Sequence, residues 1–329
     1  MSKKAIVIDT RAVLTFFGLI GLIWVASRTQ TILLSLFIAL IITLALAPAV
    51  QALERRKIPR SVAVVIIYVS FILVFGVLGA LAFTPMLNQT VALLSNLPRF
   101  IESISHVPQL EIFTKDLDSQ LTKQLSSVGP KALQTTVGAF SGVVLTLTTL
   151  VFTAYLLLDF ENLKISFLKM FPKEKRPDIA RVLMEIEITL GMWLRGQVVL
   201  MFIIGILSYI GLVALGVNYA LSLALIAGIL EIVPIIGPII ATIPALIVGF
   251  AVSPIKGLGV LGLYILIQQL ENNLIVPKVM QKAVGFNPLI TMTAILIGGS
   301  LFGVLGALLS IPVTIIIVIL FKHLYRKRY

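Results

Sequence analysis

Apolar residues fall in long blocks separated by short polar interruptions. Blocks 12–27 and 31–50 are joined only by "SRTQ", which leaves room for a tight helical hairpin and nothing larger. A membrane-spanning helix needs about 20 mostly apolar residues. On that measure spans are expected at 12–27, 31–50, 61–84, 136–158 and 196–215. Residues 86–135 mix polar side chains with Leu and Phe at helical spacing. Their Arg99, Lys115, Lys123 and Lys131 balance Glu102, Glu111, Asp116 and Asp118. A neutral, amphipathic segment of this kind fits the outer side of a membrane. The charged stretch from Leu158 to Ile188 reads as a helix pair at the cytoplasmic interface, broken at Pro172 and Pro177.

The last third differs. Tracts 219–252 and 288–321 are each long enough to enter the membrane and turn back. Between them lie an apolar run, 257–270, and a polar loop with Lys278 and Lys282. The chain divides into N-terminal membrane helices (1–85), the amphipathic external segment (86–135), a fourth span with charged helices (136–195) and a C-terminal core with two hairpin-like tracts (196–329).

Composition sharpens this. The 329 residues are 59% hydrophobic and 12% charged, against about 45–50% and about 25% in soluble domains. The fold class is an all-α, polytopic integral membrane protein. No cleavable leader pattern precedes the first apolar block, which is expected to be retained. The formal net charge of +12 suggests cytoplasmic loops facing anionic lipid rather than a nucleic-acid partner. The run "LERRKIPR" (53–60) and the tail "FKHLYRKRY" are strongly basic, as is the start with Lys3, Lys4 and Arg11. Both termini are therefore expected in the cytoplasm, which demands an even number of crossings. With no cysteine and two histidines, neither a disulfide framework nor a structural metal site is expected. No G-x-x-x-x-G-K-[ST] loop is present, so ATP-driven transport by this chain alone is disfavoured. No nucleophile–base pair suggests an enzyme.

An internal similarity singles out the two tracts. "PIIATIP" (Pro238–Pro244) matches "GALLSIP" (Gly306–Pro312), aligning Thr242 with Ser310 and Pro244 with Pro312. Pro234 and Gly237 precede the first copy; Gly298, Gly299 and Gly303 precede the second. Paired Gly/Pro-interrupted segments point to inverted repeats around a midplane site. Non-helical backbone at that depth survives only where protein buries it or water lines it. The tracts are thus expected to be re-entrant hairpins.

The candidate pathway residues follow. Glu231 is an acid between apolar runs, followed by Pro234, Gly237 and Pro238; buried acids in membranes mark ion or proton paths. Gln268, Glu271, Asn272 and Asn273 cluster where the next apolar run ends, just before Pro277. Gln268 shares a helix face with Asn272 at spacing four and adjoins Glu271 at spacing three. Amides and a carboxylate form an oxygen shell for Na⁺, at Glu231 or Glu271, or for solute hydroxyls. Thr242 and Ser310 add hydroxyls from the repeat. Gln197 is expected to face the core, and Arg195 to reach the interface.

The segments "LERRKIPRSVAVVI", "LRGQ" (194–197), "LEIVPIIGP" (230–238), "ENNLIVPKVM" (271–280) and "GFNPLITMTAILIGGSLFGVLGALLSIP" together resemble the autoinducer-2 exporter (AI-2E) family of bacterial permeases over nearly the whole chain. The resemblance implies a multi-pass inner-membrane transporter with about eight membrane segments and no enzymatic activity. Some members of that family export a furanone-type quorum signal; others resemble Na⁺(Li⁺)/H⁺ antiporters. The leading expectation is a secondary exporter of a small polar signal or metabolite, coupled to H⁺ or Na⁺ and needing no other cofactor. A Na⁺(Li⁺)/H⁺ antiporter is the alternative within transport. A membrane scaffold holding partners through 86–135 and 159–195 is the alternative outside it. The apolar stripe of 86–135 is expected to bury against a second copy, making a homo-oligomer.

Overall fold

The computed structural model describes residues 27–74, 128–280 and 288–326, and the isolated positions 17, 21, 24, 25, 76 and 77. Among the described residues there is no strand. Most of the first expected span, the end of the third and the bulk of the external segment lie outside them, as does Lys282.

The helices are α1 (Gln30–Glu54), α2 (Arg60–Val74), α3 (Val128–Lys169), α4 (Arg176–Ala214), α5 (Ala220–Leu230), α6 (Ile236–Val252), α7 (Pro254–Leu270), α8 (Val276–Val279) and α9 (Pro288–Arg326). A π-helical turn, Glu271–Ile275, joins α7 to α8. Among the described residues four stretches are long and apolar enough to cross a bilayer: Gln30–Glu54, Val144–Lys169, Lys173–Ala214 and Leu289–Leu324.

The distribution of side chains is inside out relative to a soluble bundle. Val65, Leu73, Leu147, Val151, Ile206 and Ile243 are exposed, whereas Thr43, Thr153, Gln197, Ser208, Glu231 and Glu271 are buried. Hydroxyls within helices return to a carbonyl one turn back, as Thr43 does to Ala39 and Thr153 to Thr149, each at 2.8 Å. Apolar side chains outside and polar groups turned inward are what a bilayer demands. The chain is a polytopic, all-α integral membrane protein.

Helix α4 is the hub. It packs on α1 and α9 through Leu44, Trp193, Ile295 and Ile315, and on α5 and α7 through Leu212, Leu223 and Val260, with Val248 of α6 in the same cluster. Small residues let backbones approach, as at Gly205 of α4 against Gly228 of α5; lipid offers no hydrophobic drive, so such close dispersion contacts hold the helices together.

The expected interfacial helix pair is corrected. Pro172 does end α3, and a 3₁₀ turn, Lys173–Lys175, follows. Pro177 breaks nothing, because it sits in the first turn of α4, where the missing N–H has no helical partner to lose. The charged stretch after it and the fifth span are one helix of 39 residues.

Both C-terminal tracts reverse direction. α5 and α6 are joined by a turn at 231–235 in which Ile235 has φ 71°. Gly237 packs directly on the backbone of Leu230, where any side chain would collide. α9 reverses at Phe302 and Gly303, whose φ of 61° and ψ of −143° only glycine adopts easily. Its two arms meet at Gly298 and Gly306, backbone against backbone. The matched heptapeptides both begin the returning arm: Pro238 lies just inside α6, and Gly306 three residues beyond Gly303.

Candidate functional site: a pair of buried carboxyls at a helix break

Pro234 has no N–H and disfavours helical backbone at Val233. The α5 helix therefore ends at Leu230, with Glu231 as its C-cap. The reversal leaves the carbonyl of Glu231 without its helical donor. The side-chain amide of Gln197, on α4, donates to it across 34 residues of sequence. Gln197 and Glu231 are both fully buried.

The second carboxyl comes from the π turn. Widening the helix over 271–275 turns Glu271 inward, leaving it 4% exposed; single π turns of this kind recur at functional sites. Gln268 Nε2 donates to Glu271 Oε2 at 3.2 Å. Glu231 and Glu271 face each other as electrostatic neighbours. Among the described residues, neither oxygen of Glu231 has a hydrogen-bond donor in good geometry, nor does Oε1 of Gln197 have one. Two acids and two amides from α4, the α5–α6 turn and the π turn thus converge on one buried point.

The remaining candidates are placed unevenly. Pro238 and Gly237 are buried at the turn, and Pro234 is half-buried within it. Asn272, Asn273 and Pro277 are exposed on the outer surface, with Asn273 Nδ2 donating to Gln269 Oε1 at 2.9 Å. The π turn separates Asn272 from Gln268, which a regular helix would have aligned. Thr242 and Ser310 bond back to the carbonyls of Pro238 (2.8 Å) and Ala307 (2.6 Å). They play equivalent parts in the two hairpins but are not beside the carboxyls in any contact seen here.

Arg195 turns to the opposite side of α4. Its Nη1 donates to the carbonyls of Leu44 (3.4 Å) and Ala45 (3.0 Å). Pro48 inside α1 explains this: lacking an N–H, it leaves the Leu44 carbonyl open. The guanidinium, itself exposed, thus meets a carbonyl that Pro48 leaves open within the continuous α1.

Sequence reasoning missed a cavity of about 260 Å³, apolar over most of its wall, between α1, the start of α2, α3 and α4. Arg60, Arg195, Glu54, Glu161 and Glu187 line it. The five come from four helices; Glu54 and Arg60 share the run "LERRKIPR", and Glu187 and Arg195 lie eight apart on α4, but nothing local joins these pairs to each other or to Glu161.

A sequence profile of AI-2E family transporters matches residues 13–326. The chain belongs to that family of membrane transporters. Among its relatives, YueF of Bacillus subtilis (strain 168) is 29% identical over 323 residues, covering 90% of this chain and 85% of YueF. A protein named sodium-lithium/proton antiporter, of Halobacillus andaensis, is 27% identical, covering 84% of this chain and 85% of that protein. AI-2 transport protein TqsA of Escherichia coli (strain K12) is 27% identical, covering 96% of this chain and 93% of TqsA.

Proposed function

We propose that this protein is a secondary transporter of the bacterial inner membrane, and not an enzyme, whose coupling ion binds at Glu231 and Glu271. One observation carries the reading: two carboxyls from separate helix breaks meet in a buried site where Glu231 has no donor of its own. Two buried acids side by side cannot both hold an unshared negative charge cheaply. A proton or a monovalent cation between them meets the charge, and exchanging one for the other couples the site to a gradient. The cargo is a small polar solute leaving the cell, and the two hairpins enter the membrane from opposite sides with both termini in the cytoplasm. An arm the length of α5, 11 residues, reaches only about 16 Å, half of a hydrocarbon core of about 30 Å.

A second reading makes the cation itself the cargo, as in Na⁺(Li⁺)/H⁺ antiport. It is favoured because Asn272 and Asn273, the amides suited to solute hydroxyls, face outward, leaving a site dominated by acids. The name of the Halobacillus relative agrees with it.

The test uses everted vesicles containing wild type or Glu231→Gln. Imposed Na⁺ or Li⁺ should release protons through wild type under antiport. Under solute export, an imposed proton gradient should drive accumulation of labelled signal instead. Glu231→Gln keeps shape and hydrogen bonding but removes the charge, and should abolish either activity while leaving the amount of folded protein unchanged. A Gln variant with wild-type rate and pH dependence would remove Glu231 from the mechanism. Absence of both activities in wild type would favour the scaffold.

A further inference from the structure

We propose that Gln197 is the ligand that fits the carboxyl site to a bare alkali cation, Na⁺ or Li⁺, its side-chain oxygen completing a shell begun by Glu231. The assignment rests on the coupling-ion reading of that site and narrows it, from any small cation with the proton included, to a metal ion held in part by an amide from α4.

The orientation of the amide is the starting point. Gln197 and Glu231 are both fully buried, and Gln197 Nε2 donates to the main-chain carbonyl of Glu231. That bond fixes which way the amide lies, because the reversed amide would set oxygen against oxygen. Oε1 is therefore the free end, and among the described residues it meets no donor. Glu231 Oε1 and Oε2 meet none either. The nearby amide nitrogens each carry a bond already, Gln197 Nε2 to the Glu231 carbonyl and Gln268 Nε2 to Glu271 Oε2 at 3.2 Å. Three oxygens on two touching residues thus lack a donor. All that is unmet here is lone pairs, and buried lone pairs are costly to leave unmet.

A proton links two oxygens at most. Shared between the neighbouring carboxyls of Glu231 and Glu271, it meets one oxygen of Glu231 and leaves the other, with Gln197 Oε1, unmet. A metal cation contacts several oxygens at once, and carboxylate and amide oxygens are the donors that hard cations prefer. Divalent ions fit less well. Ca²⁺ takes about six to eight oxygens, and Mg²⁺ keeps several of its own waters in an octahedron. Three unmet oxygens beside the Glu271 carboxyl suit neither, and a monovalent ion brings less charge into a buried site. Gln197 adds a ligand without adding charge. The ligands come from α4 and from the α5–α6 turn, so a bound cation ties the first hairpin to the hub helix and stabilises the folded chain.

Full-length protein in detergent is titrated with NaCl or LiCl, choline chloride holding the ionic strength constant, and the thermal unfolding midpoint is followed. The midpoint should rise with Na⁺ or Li⁺ in wild type. Gln197→Met keeps the length of the side chain and removes both its donor and its oxygen. The midpoint without cation then reports the lost bond to the Glu231 carbonyl, while the cation concentration that gives half the rise reports the ligand. That concentration should increase about tenfold, the worth of one contact to a charged group. An unchanged concentration makes Gln197 a brace only and overturns the proposal, whatever the midpoint without cation does. Wild type supplies a second measurement that stands even if the variant does not fold. Infrared difference spectra on adding Na⁺ should show a side-chain amide carbonyl band shifting together with carboxylate bands; carboxylate bands alone overturn the proposal. A response to Mg²⁺ but not to Na⁺ or Li⁺ overturns it as well. No cation response at all in wild type overturns the metal site and leaves proton coupling through Glu231 to the transport assay, so the two readings fail separately.

Discussion

Gly298 lies directly against Gly306 across the reversal at Phe302 and Gly303, so close that neither position has room for a β-carbon. Eight residues apart in one straight helix, these backbones would stand about 12 Å from each other. Their contact is what makes the 39 residues of α9 two arms rather than one rod.

A side chain at either glycine must push the arms apart. Gly306→Val and Gly298→Val should each cost about 1–3 kcal/mol, the usual penalty of overpacking, and lower the thermal unfolding midpoint in detergent. Gly299→Ala is the control: its nearest neighbour would be Ala307 at an ordinary 3.8 Å, so its midpoint should match wild type. Equal behaviour of all three would show that the close approach carries no stability.

Arg195 and Pro48 should be energetically linked. Arg195→Gln removes the donor that meets the Leu44 and Ala45 carbonyls, at a cost of about 1–3 kcal/mol for an unmet buried acceptor. Pro48→Ala returns an N–H to α1, and that N–H can take the same carbonyl. The arginine substitution should therefore cost less in the alanine background, a coupling that a double-mutant cycle on unfolding midpoints reads directly. Additive effects would mean that the guanidinium does not serve the carbonyl that Pro48 leaves open.

Much of this architecture could be read from hydrophobic blocks alone, because in lipid a helix must satisfy its own backbone and the blocks are correspondingly long. The breakers marked both reversals, and Glu231 stood out because charge in an apolar run has to be met by something. What could not be read was direction around a helix. The π turn at Glu271–Ile275 rotates the face of α7, turning Glu271 in and Asn272 out, and its signature is not a residue pattern. Gln197 was placed facing inward by its apolar surroundings, but its partner, the Glu231 carbonyl, lies 34 residues away. Arg195, two residues earlier, serves the opposite side of α4, because a step of two on a helix changes face.

The external segment 86–135 should hold copies of the protein together. Its charges balance and its apolar residues recur at helical spacing, leaving a stripe that no lipid covers on the outer side. Removing residues 95–125 should reduce the particle mass in detergent to that of a single chain. A mass that falls only by the deleted residues in each copy would place assembly elsewhere, in the membrane helices.

The membrane side of the two reversals is the remaining test of the architecture. α4 ends at Ala214, and α5 and α6 return the chain to Ser253, so Asn218 and Ser253 flank the first hairpin on one side. Pro288 and Arg326 bound the second hairpin, which is expected on the other. With the basic tail in the cytoplasm, cysteines at Asn218 and Ser253 should react with an impermeant maleimide from outside, and one at His323 only from inside. The tips decide between entering and crossing. The leading arms, about 16 Å in α5 and about 21 Å in α9 before Phe302, fall short of a core of about 30 Å. A cysteine at Val233 should therefore resist reagent from the cytoplasm, and one at Val304, 78% exposed on the protein surface, should resist it from outside. Gly237 is unsuitable as a probe, since a side chain there meets the Leu230 carbonyl. Labelling of Val233→Cys from the cytoplasm in intact, transport-competent protein would mean that α5 and α6 cross, and the paired carboxyls would then lie at a membrane face instead of within it.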